Sequence, residues 1–255
     1  MIQLRNISKE FHKNESISVL ALRDVNLDIQ PGEFVAISGP SGSGKSTLMN
    51  IMGLLDVPTR GSYLLEDQEV SGLDIDALAK LRNQKIGFVF QSFHLLPRTS
   101  ARENVELPLI YSDRSDIKNL ALQSLEAVGL GERVSHFPSE LSGGEQQRVA
   151  IARSLVNEPD IIFADEPTGN LDTRSGLEII SIFQELNARG KTIILVTHDQ
   201  QIAEHCRRIV RISDGTIQTD DVVVQPRNAF EELNKIRNEP ELPSSGVGAD
   251  KGEAE

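Results

Sequence analysis

The stretch Phe34-Val35-Ala36-Ile37-Ser38-Gly39-Pro40-Ser41-Gly42-Ser43-Gly44-Lys45-Ser46-Thr47-Leu48-Met49-Asn50-Ile51-Met52 decides the fold. Its first five residues form a short apolar run that suits a buried strand. Gly39 to Ser46 fit the pattern G-x-x-x-x-G-K-[ST], whose backbone amides turn inward to cradle phosphates. Thr47 and the residues after it carry helix-compatible apolar spacing. Strand, glycine turn and helix together set phosphates at a positive helix end. Lys45 brings charge to the outer phosphates, and the Ser46 hydroxyl is a ligand for Mg²⁺. A glycine-rich turn with an incidental lysine would leave the flanking strand and helix unexplained.

A second segment, Leu141-Ser142-Gly143-Gly144-Glu145-Gln146-Gln147-Arg148, lies about a hundred residues further on. Ser142 with Glu145 three residues later makes a capping box, so a helix starts here and runs through Val149, Ala150 and Ile151. Capping does not account for Gly143 and Gly144, which are poor helix formers. Two glycines behind a cap leave amides open to the close approach of an anion. A loop already wrapped around its phosphates has little room for a second such device from the same chain. A head-to-tail pair of chains with two-fold symmetry resolves this, each chain completing the other's site.

With both motifs in place, the chain resembles the ATP-binding-cassette ATPases, the nucleotide-binding subunits of ABC transporters, over roughly residues 1–220. The family signature usually ends in Gln; Glu145 is a departure found in the lipoprotein-release branch. The segments GFVFQSFHLLPRTSARENVELPL (87–109) and ADEPTGNLD (164–172) are similar to the branch of macrolide exporters, lipoprotein-release ATPases and the cell-division ATPase. The resemblance implies an α/β P-loop ATPase with a parallel core sheet, an N-terminal antiparallel β subdomain and a helical subdomain carrying the signature. It implies ATP and Mg²⁺ as cofactors and an ATP-dependent dimer with a second copy of the chain. It also implies an integral-membrane permease as partner, with a periplasmic adaptor and an outer-membrane channel beyond it. The cargo then meets the permease rather than this subunit.

The remaining chemistry falls at the ends of apolar runs, where active groups of parallel sheets gather. Ile161-Ile162-Phe163-Ala164 leads into Asp165 and Glu166. Taken alone, the two carboxylates could simply start the next turn. By resemblance, Asp165 holds Mg²⁺ through water and Glu166 polarises the attacking water; one base and one metal suffice for phosphoryl transfer. His198 follows the run 192–197 and is similar to the family's switch histidine, which contacts the terminal phosphate. Gln91 follows the run 86–90 and, by resemblance, reaches Mg²⁺ or the attacking water as the site closes. Asn170-Leu171-Asp172 resembles the loop that crosses to the partner chain. Phe11 stands where the family sets an aromatic against adenine, a contact of about 1–3 kcal/mol by analogy with base stacking; the other reading of Phe11 is plain core. Phe93, Leu95 and Leu96 form an apolar cluster beside Gln91. They read as helical-subdomain core or as the groove for a cytoplasmic helix of the permease.

Composition agrees. A net charge of −12 excludes general nucleic-acid binding, which asks for a basic surface. No apolar stretch nears the ~20 residues that span a bilayer. No signal peptide opens the chain, and its single cysteine, Cys206, suits a reducing compartment. The chain is therefore expected to be cytoplasmic, peripheral on the inner face of the cell membrane, with its permease a separate chain. Chromosome- and repair-type relatives carry long coiled coils or zinc modules between the motifs, and translation-type factors carry two cassettes; neither feature is in this sequence. A module that binds ATP without cleaving it would not need both Glu166 and His198.

Residues 1–224 read as one ATPase domain with a helical subdomain at about 92–150. Ile2, Leu4 and Ile7, then Val19, Leu20, Leu22, Val25, Leu27 and Ile29, suit a small antiparallel sheet before the glycine loop. The run 117–128 has helical spacing closed by Gly129. Residues 225–255 read as a polar tail, with a short helix near 230–236 and disorder over about the last fifteen residues.

Overall fold

The computed structural model describes residues 1–14, 17–112 and 114–238. The expectation of disorder at the extreme C-terminus falls on residues 239–255, outside the described residues.

The chain opens with β1 (Ile2–Asn14) and β2 (Ile17–Ile29), then β3 (Phe34–Ser38), the glycine loop and α1 (Lys45–Met52). Next come β4 (Arg60–Leu65), β5 (Gln68–Glu69), α2 (Ile75–Lys85) and β6 (Ile86–Phe90). Three helices follow, α3 (Ala101–Glu106), α4 (Ile117–Ala127) and α5 (Gly143–Leu155). Then come β7 (Ile161–Asp165), α6 (Thr173–Ala188), β8 (Thr192–Thr197) and α7 (Gln200–Ala203). The described chain closes with β9 (Arg208–Ser213), β10 (Thr216–Val222) and α8 (Ala229–Asn238).

Six strands form the central sheet in the order β10-β9-β3-β8-β7-β6. The pairs β9–β3, β3–β8, β8–β7 and β7–β6 are parallel, and only the β9–β10 hairpin is antiparallel. The inner strands β3, β7 and β8 are nearly continuous apolar runs because both faces are covered, whereas β9 carries Arg208 and Arg211 and the edge strand β10 is polar and largely exposed. Successive residues serve two different cores. Phe34, Ala36, Ile162, Ala164, Ile193 and Leu195 face the core shared with the helices α3 to α6. Val35, Ile37, Ile161, Phe163, Ile194 and Val196 face the core shared with α1 and the antiparallel sheet.

That antiparallel sheet has the order β2-β1-β4-β5. Its members are not all N-terminal to the glycine loop: β4 and β5 come after α1, β4 adding to the edge of β1 and β5 to β4. The sequence alternation identified β1 and β2 but not the strands that return to them. Tyr63 of β4 ties the sheet to α1, its buried hydroxyl donating to the Met52 carbonyl at 2.6 Å. This satisfies a carbonyl at the C-terminal end of the loop's helix and fixes that helix against the sheet. At the far end of the chain, α8 packs on α6, with Ala229 buried and Leu233 packed against the first core.

Candidate functional site

The central strands end on one side at a cleft of about 1030 Å³. Ser38, Gly39, Pro40, Ser41, Gly42, Gly44, Lys45, Ser46 and Thr47 line it, together with Gln91, Asp165, Glu166 and His198. Four separate strand ends thus converge: β3 supplies the loop, β6 Gln91, β7 the two carboxylates and β8 the histidine. Parallel register carries them there, since Phe90 pairs with Asp165, Asp165 with Val196, and Thr197 with Ser38.

The loop's shape depends on its glycines. Gly44 has φ +104°, and a Cβ there would sit 2.7 Å from the Ala21 carbonyl oxygen of β2. A Cβ at Gly39 would lie 2.1 Å from the Ile212 carbonyl oxygen of β9. Only glycine lets the loop pass between these strands. Lys45 is buried, and its ammonium donates to the Gly39 and Pro40 carbonyls at 2.8 Å each. An ammonium has three donors, so one remains beyond these two bonds. The Ser43 hydroxyl is buried without a protein partner. A buried orphan hydroxyl and a spare ammonium donor in one loop suit a polyanion.

Three hard oxygen groups meet in the same cleft: the exposed Ser46 hydroxyl, the Asp165 carboxylate and the Gln91 amide. The Gln91 amide nitrogen donates to Asn170 Oδ1 at 3.2 Å, which leaves its carbonyl oxygen for another partner. Burial raises the Asp165 pKa, the neighbouring Glu166 carboxylate raises it further, and Lys45 pulls it back. A carboxylate held at that cost gains from a cation beside it. One carboxylate, one hydroxyl and one amide oxygen make a donor set for Mg²⁺, which prefers oxygen and fills its shell with water and phosphate.

Glu166 and His198 are locked together. Glu166 Oε1 accepts from the His198 backbone N–H at 2.9 Å and lies 2.6 Å from His198 Nδ1. Glu166 Oε2 accepts from the Thr197 hydroxyl at 3.2 Å. The Glu166 backbone sits at φ +46°, a left-handed conformation that costs a non-glycine residue free energy. Its N–H to the Val196 carbonyl, at 2.8 Å, holds it there.

Ser142, Gly143 and Gly144 do not line this cleft. They open α5, where Ser142 Oγ accepts from the Glu145 N–H at 3.2 Å and Glu145 Oε2 accepts from the Ser142 N–H at 2.8 Å. The glycines also have a packing reason. A Cβ at Gly143 would be 3.3 Å from Leu171 Cδ2, and one at Gly144 would be 3.3 Å from Ser175 Oγ. Phe11 is not core: it is 43% exposed. It pairs across the β1–β2 ladder with Val19, which does line the cleft, so Phe11 extends that wall rather than forming it. The Lys9 ammonium stands 5.0 Å from its ring centroid.

Sequence reasoning passed over the cleft's other wall, formed by Val19, Leu20, Ala21 and Arg23 of β2 and by Asp214 and Gly215. The signal for the last pair was present. Asp-Gly with φ of +50° and +75° is the turn of a two-residue hairpin. Its Gly215 N–H donates to the Ser43 carbonyl at 3.0 Å and closes the turn against the glycine loop.

The apolar cluster after Gln91 divides. Leu95 packs against the helical core, and the partly buried Phe93 lies near Gly143. A second groove of about 1050 Å³ passes beside them, walled by Phe88, Phe90, His94, Tyr111 and Arg153. Phe93 and Leu95 are not part of its wall. A short turn sends the side chains of consecutive residues in different directions, and sequence order alone does not reveal which faces outward.

The family model described as "ABC transporter" matches residues 22–169. The chain belongs to the ABC transporter family. The cassette is 53% identical over 221 residues to the macrolide export ATP-binding/permease protein MacB of Bdellovibrio bacteriovorus, a match covering 87% of this chain and 34% of that protein. It thus spans about a third of the length of the MacB relatives it matches. It is 52% identical to the uncharacterized ABC transporter ATP-binding protein YvrO of Bacillus subtilis, covering 87% of this chain and 97% of that one. Among solved structures it resembles the dimeric post-hydrolysis state of the ATP-binding cassette MJ0796 bound to ADP and Pi. There the TM-score is 0.81 at 45% identity, over 88% of this chain and all of that one.

Proposed function

We propose that this cassette hydrolyses ATP with Mg²⁺ between two copies of itself and drives a membrane permease. The observation that carries the reading is the division of the phosphate-binding parts. The glycine loop, Lys45, Ser46, Gln91, Asp165, Glu166 and His198 share one cleft, while Ser142, Gly143 and Gly144 stand outside it. A second copy, turned head to tail, supplies the missing group.

In this reading the amides of residues 39–44 and Lys45 hold the phosphates, and the base lies against Val19 and Leu20 with Phe11 beside them. Ser46 and Asp165 with Gln91 would hold Mg²⁺, which would supply charge neutralisation at the outer phosphates. Glu166 orients the attacking water and accepts its proton, while His198 fixes Glu166 and faces the terminal phosphate. Positioning and charge neutralisation supply most of the rate in such transfers. Asn170-Leu171-Asp172 lies against Gln91 and follows the strand bearing the carboxylates, so it is placed to pass the state of one site to the partner.

Among the described residues no helix is long and apolar enough to cross a membrane. The family and the MacB relatives' name support a permease as the membrane part, with this cassette on its cytoplasmic face. The groove walled by Phe88, Phe90, His94 and Tyr111 is the proposed seat for the permease, in place of Phe93 and Leu95. Export is the direction suggested by the MacB relatives' name, and an adaptor and outer-membrane channel belong to the same reading. The test is phosphate release by the purified protein. Hydrolysis that depends on Mg²⁺, stops with chelator and rises more steeply than linearly with protein concentration is expected. Activity strictly proportional to concentration down to high dilution, with no dimer present, would exclude a shared site.

A further inference from the structure

The backbone just after Gln91 is strained. Phe93 has φ +56° and His94 φ +50°, two consecutive non-glycine residues in the left-handed region. Such a conformation is uncommon, most of all for a bulky side chain, and persists only where the surroundings hold it. The turn is held from outside itself. Arg153 donates from Nη2 to the Phe93 carbonyl at 2.8 Å and from Nη1 to the His94 carbonyl at 2.7 Å.

Arg153 belongs to the last turn of α5, the helix that opens with Gly143 and Gly144. Burial acts against its charge and lowers the pKa of its guanidinium. A partly buried cation whose bonds go to two carbonyls is a costly way to fill space, so packing alone does not select arginine here. Its planar fork suits two acceptors at once, which a lysine ammonium matches poorly. Charged donors also make the stronger hydrogen bonds.

Gln91 is fixed on its other side as well. Its amide nitrogen donates to Asn170 Oδ1, and Asn170 Nδ2 returns a bond to the Gln91 carbonyl at 3.0 Å. Gln91 thus stands between two fixtures, Asn170 at its side chain and Arg153 at the turn that follows.

We propose that Arg153 is a positioning residue for Gln91: its guanidinium holds the strained turn at Phe93 and His94 and so links the signature helix to the active-site glutamine. The proposal rests on the reading of Gln91 as an active-site group. Because Arg153 and His94 both wall the second groove, whatever fills that groove presses on this clamp.

The test is steady-state ATP hydrolysis by Gln91→Ala, Arg153→Ala, Arg153→Lys and the double variant Arg153→Ala/His94→Gly. Loss of the fork is expected to lower kcat about tenfold while KM for ATP stays within about twofold, as for a group acting after binding. Arg153→Lys keeps charge and stem and is expected to fold like the wild type yet show most of that loss. Glycine accepts positive φ without penalty, so the double variant is expected to recover about threefold in kcat at a temperature where circular dichroism shows both it and Arg153→Ala fully folded. A role in folding alone would give no such recovery. Wild-type kcat in both single Arg153 variants, with Gln91→Ala impaired, overturns the proposal and leaves the reading of Gln91 intact. Wild-type turnover in Gln91→Ala overturns both. Failure of His94→Gly to recover any activity also overturns the proposal.

Discussion

Ser142 has two jobs in this account, and they differ in size. Within the chain it caps α5. Replacing it with Ala removes the bond from the Glu145 N–H to Ser142 Oγ, which is long at 3.2 Å. The other half of the box, the Ser142 N–H to Glu145 Oε2 at 2.8 Å, needs no serine side chain and survives. The loss therefore falls in the lower part of the range for cap removal, about 0.5–1 kcal/mol. In a chain of this length that lowers the unfolding midpoint by about 1–4 °C. Between chains, Ser142 is read as a donor to the partner's nucleotide, and a hydrogen bond to a charged group contributes about 1.5–3 kcal/mol. Ser142→Ala should therefore lower hydrolysis about ten- to a hundredfold. Binding of ATP by dilute monomer, which uses only the glycine-loop cleft, should be unchanged. Calorimetry, a fluorescent ATP analogue titrated at low protein concentration, and phosphate release separate the three quantities. If turnover falls no more than the few degrees of lost stability would explain, Ser142 is a cap and nothing else. If the dilute monomer loses ATP affinity, the signature acts on its own chain's cleft, and the two-chain site is refuted.

Two further predictions follow from the same geometry. Asp165 has a folded-state pKa raised mainly by burial, so its contribution to stability is present below the unfolded carboxylate range and is lost as pH rises through the folded value. Asp165→Asn should then be more stable than the wild type near neutral pH in the absence of Mg²⁺ and nucleotide. That gain should shrink as acidity protonates the wild-type carboxylate, while hydrolysis is lost; a thermal melt series against pH with no such convergence would contradict the cause given for the shift. Gly169→Ala places a Cβ 2.7 Å from Gln91 Nε2, so Gln91 must move. The expected result is a fall of about tenfold in kcat with stability within about 1 kcal/mol, and unchanged kcat would show that Gln91's position does not matter.

The parts of the fold legible in the sequence are those whose causes are local. Strands β3, β7 and β8 read as unbroken apolar runs because each is buried on both faces, and β6 reads the same way although Phe88 and Phe90 on one of its faces are only partly buried. The glycine loop reads as itself because its conformation is written in Gly39, Gly42 and Gly44. Ser142 and Glu145 announce the start of α5 at a spacing of three. What escaped depends on chain segments meeting at a distance. Nothing in Arg60 to Leu65 says that this strand returns to β1. Val19 and Leu20 look like ordinary strand residues until the ladder and the Asp214-Gly215 turn bring them to the cleft. The apolar residues after Gln91 carry the right character for docking, but only the turn at Phe93 and His94 decides that His94 faces the groove and Leu95 the core. The clamp by Arg153 joins residues some sixty positions apart, and no local pattern encodes it.

The central claim is that ATP joins two copies of this chain, and one measurement addresses it directly: the molar mass of Glu166→Gln by light scattering, with and without Mg²⁺-ATP. The amide keeps an oxygen for the His198 N–H but cannot take the proton of the attacking water, so bound ATP persists. Ligand that binds only the paired form drives pairing by mass action. A mass of one chain without nucleotide and of two with ATP is the predicted result, reverting to one when ATP is exchanged for ADP. A variant that binds ATP yet keeps the mass of a single chain at every concentration would contradict the account.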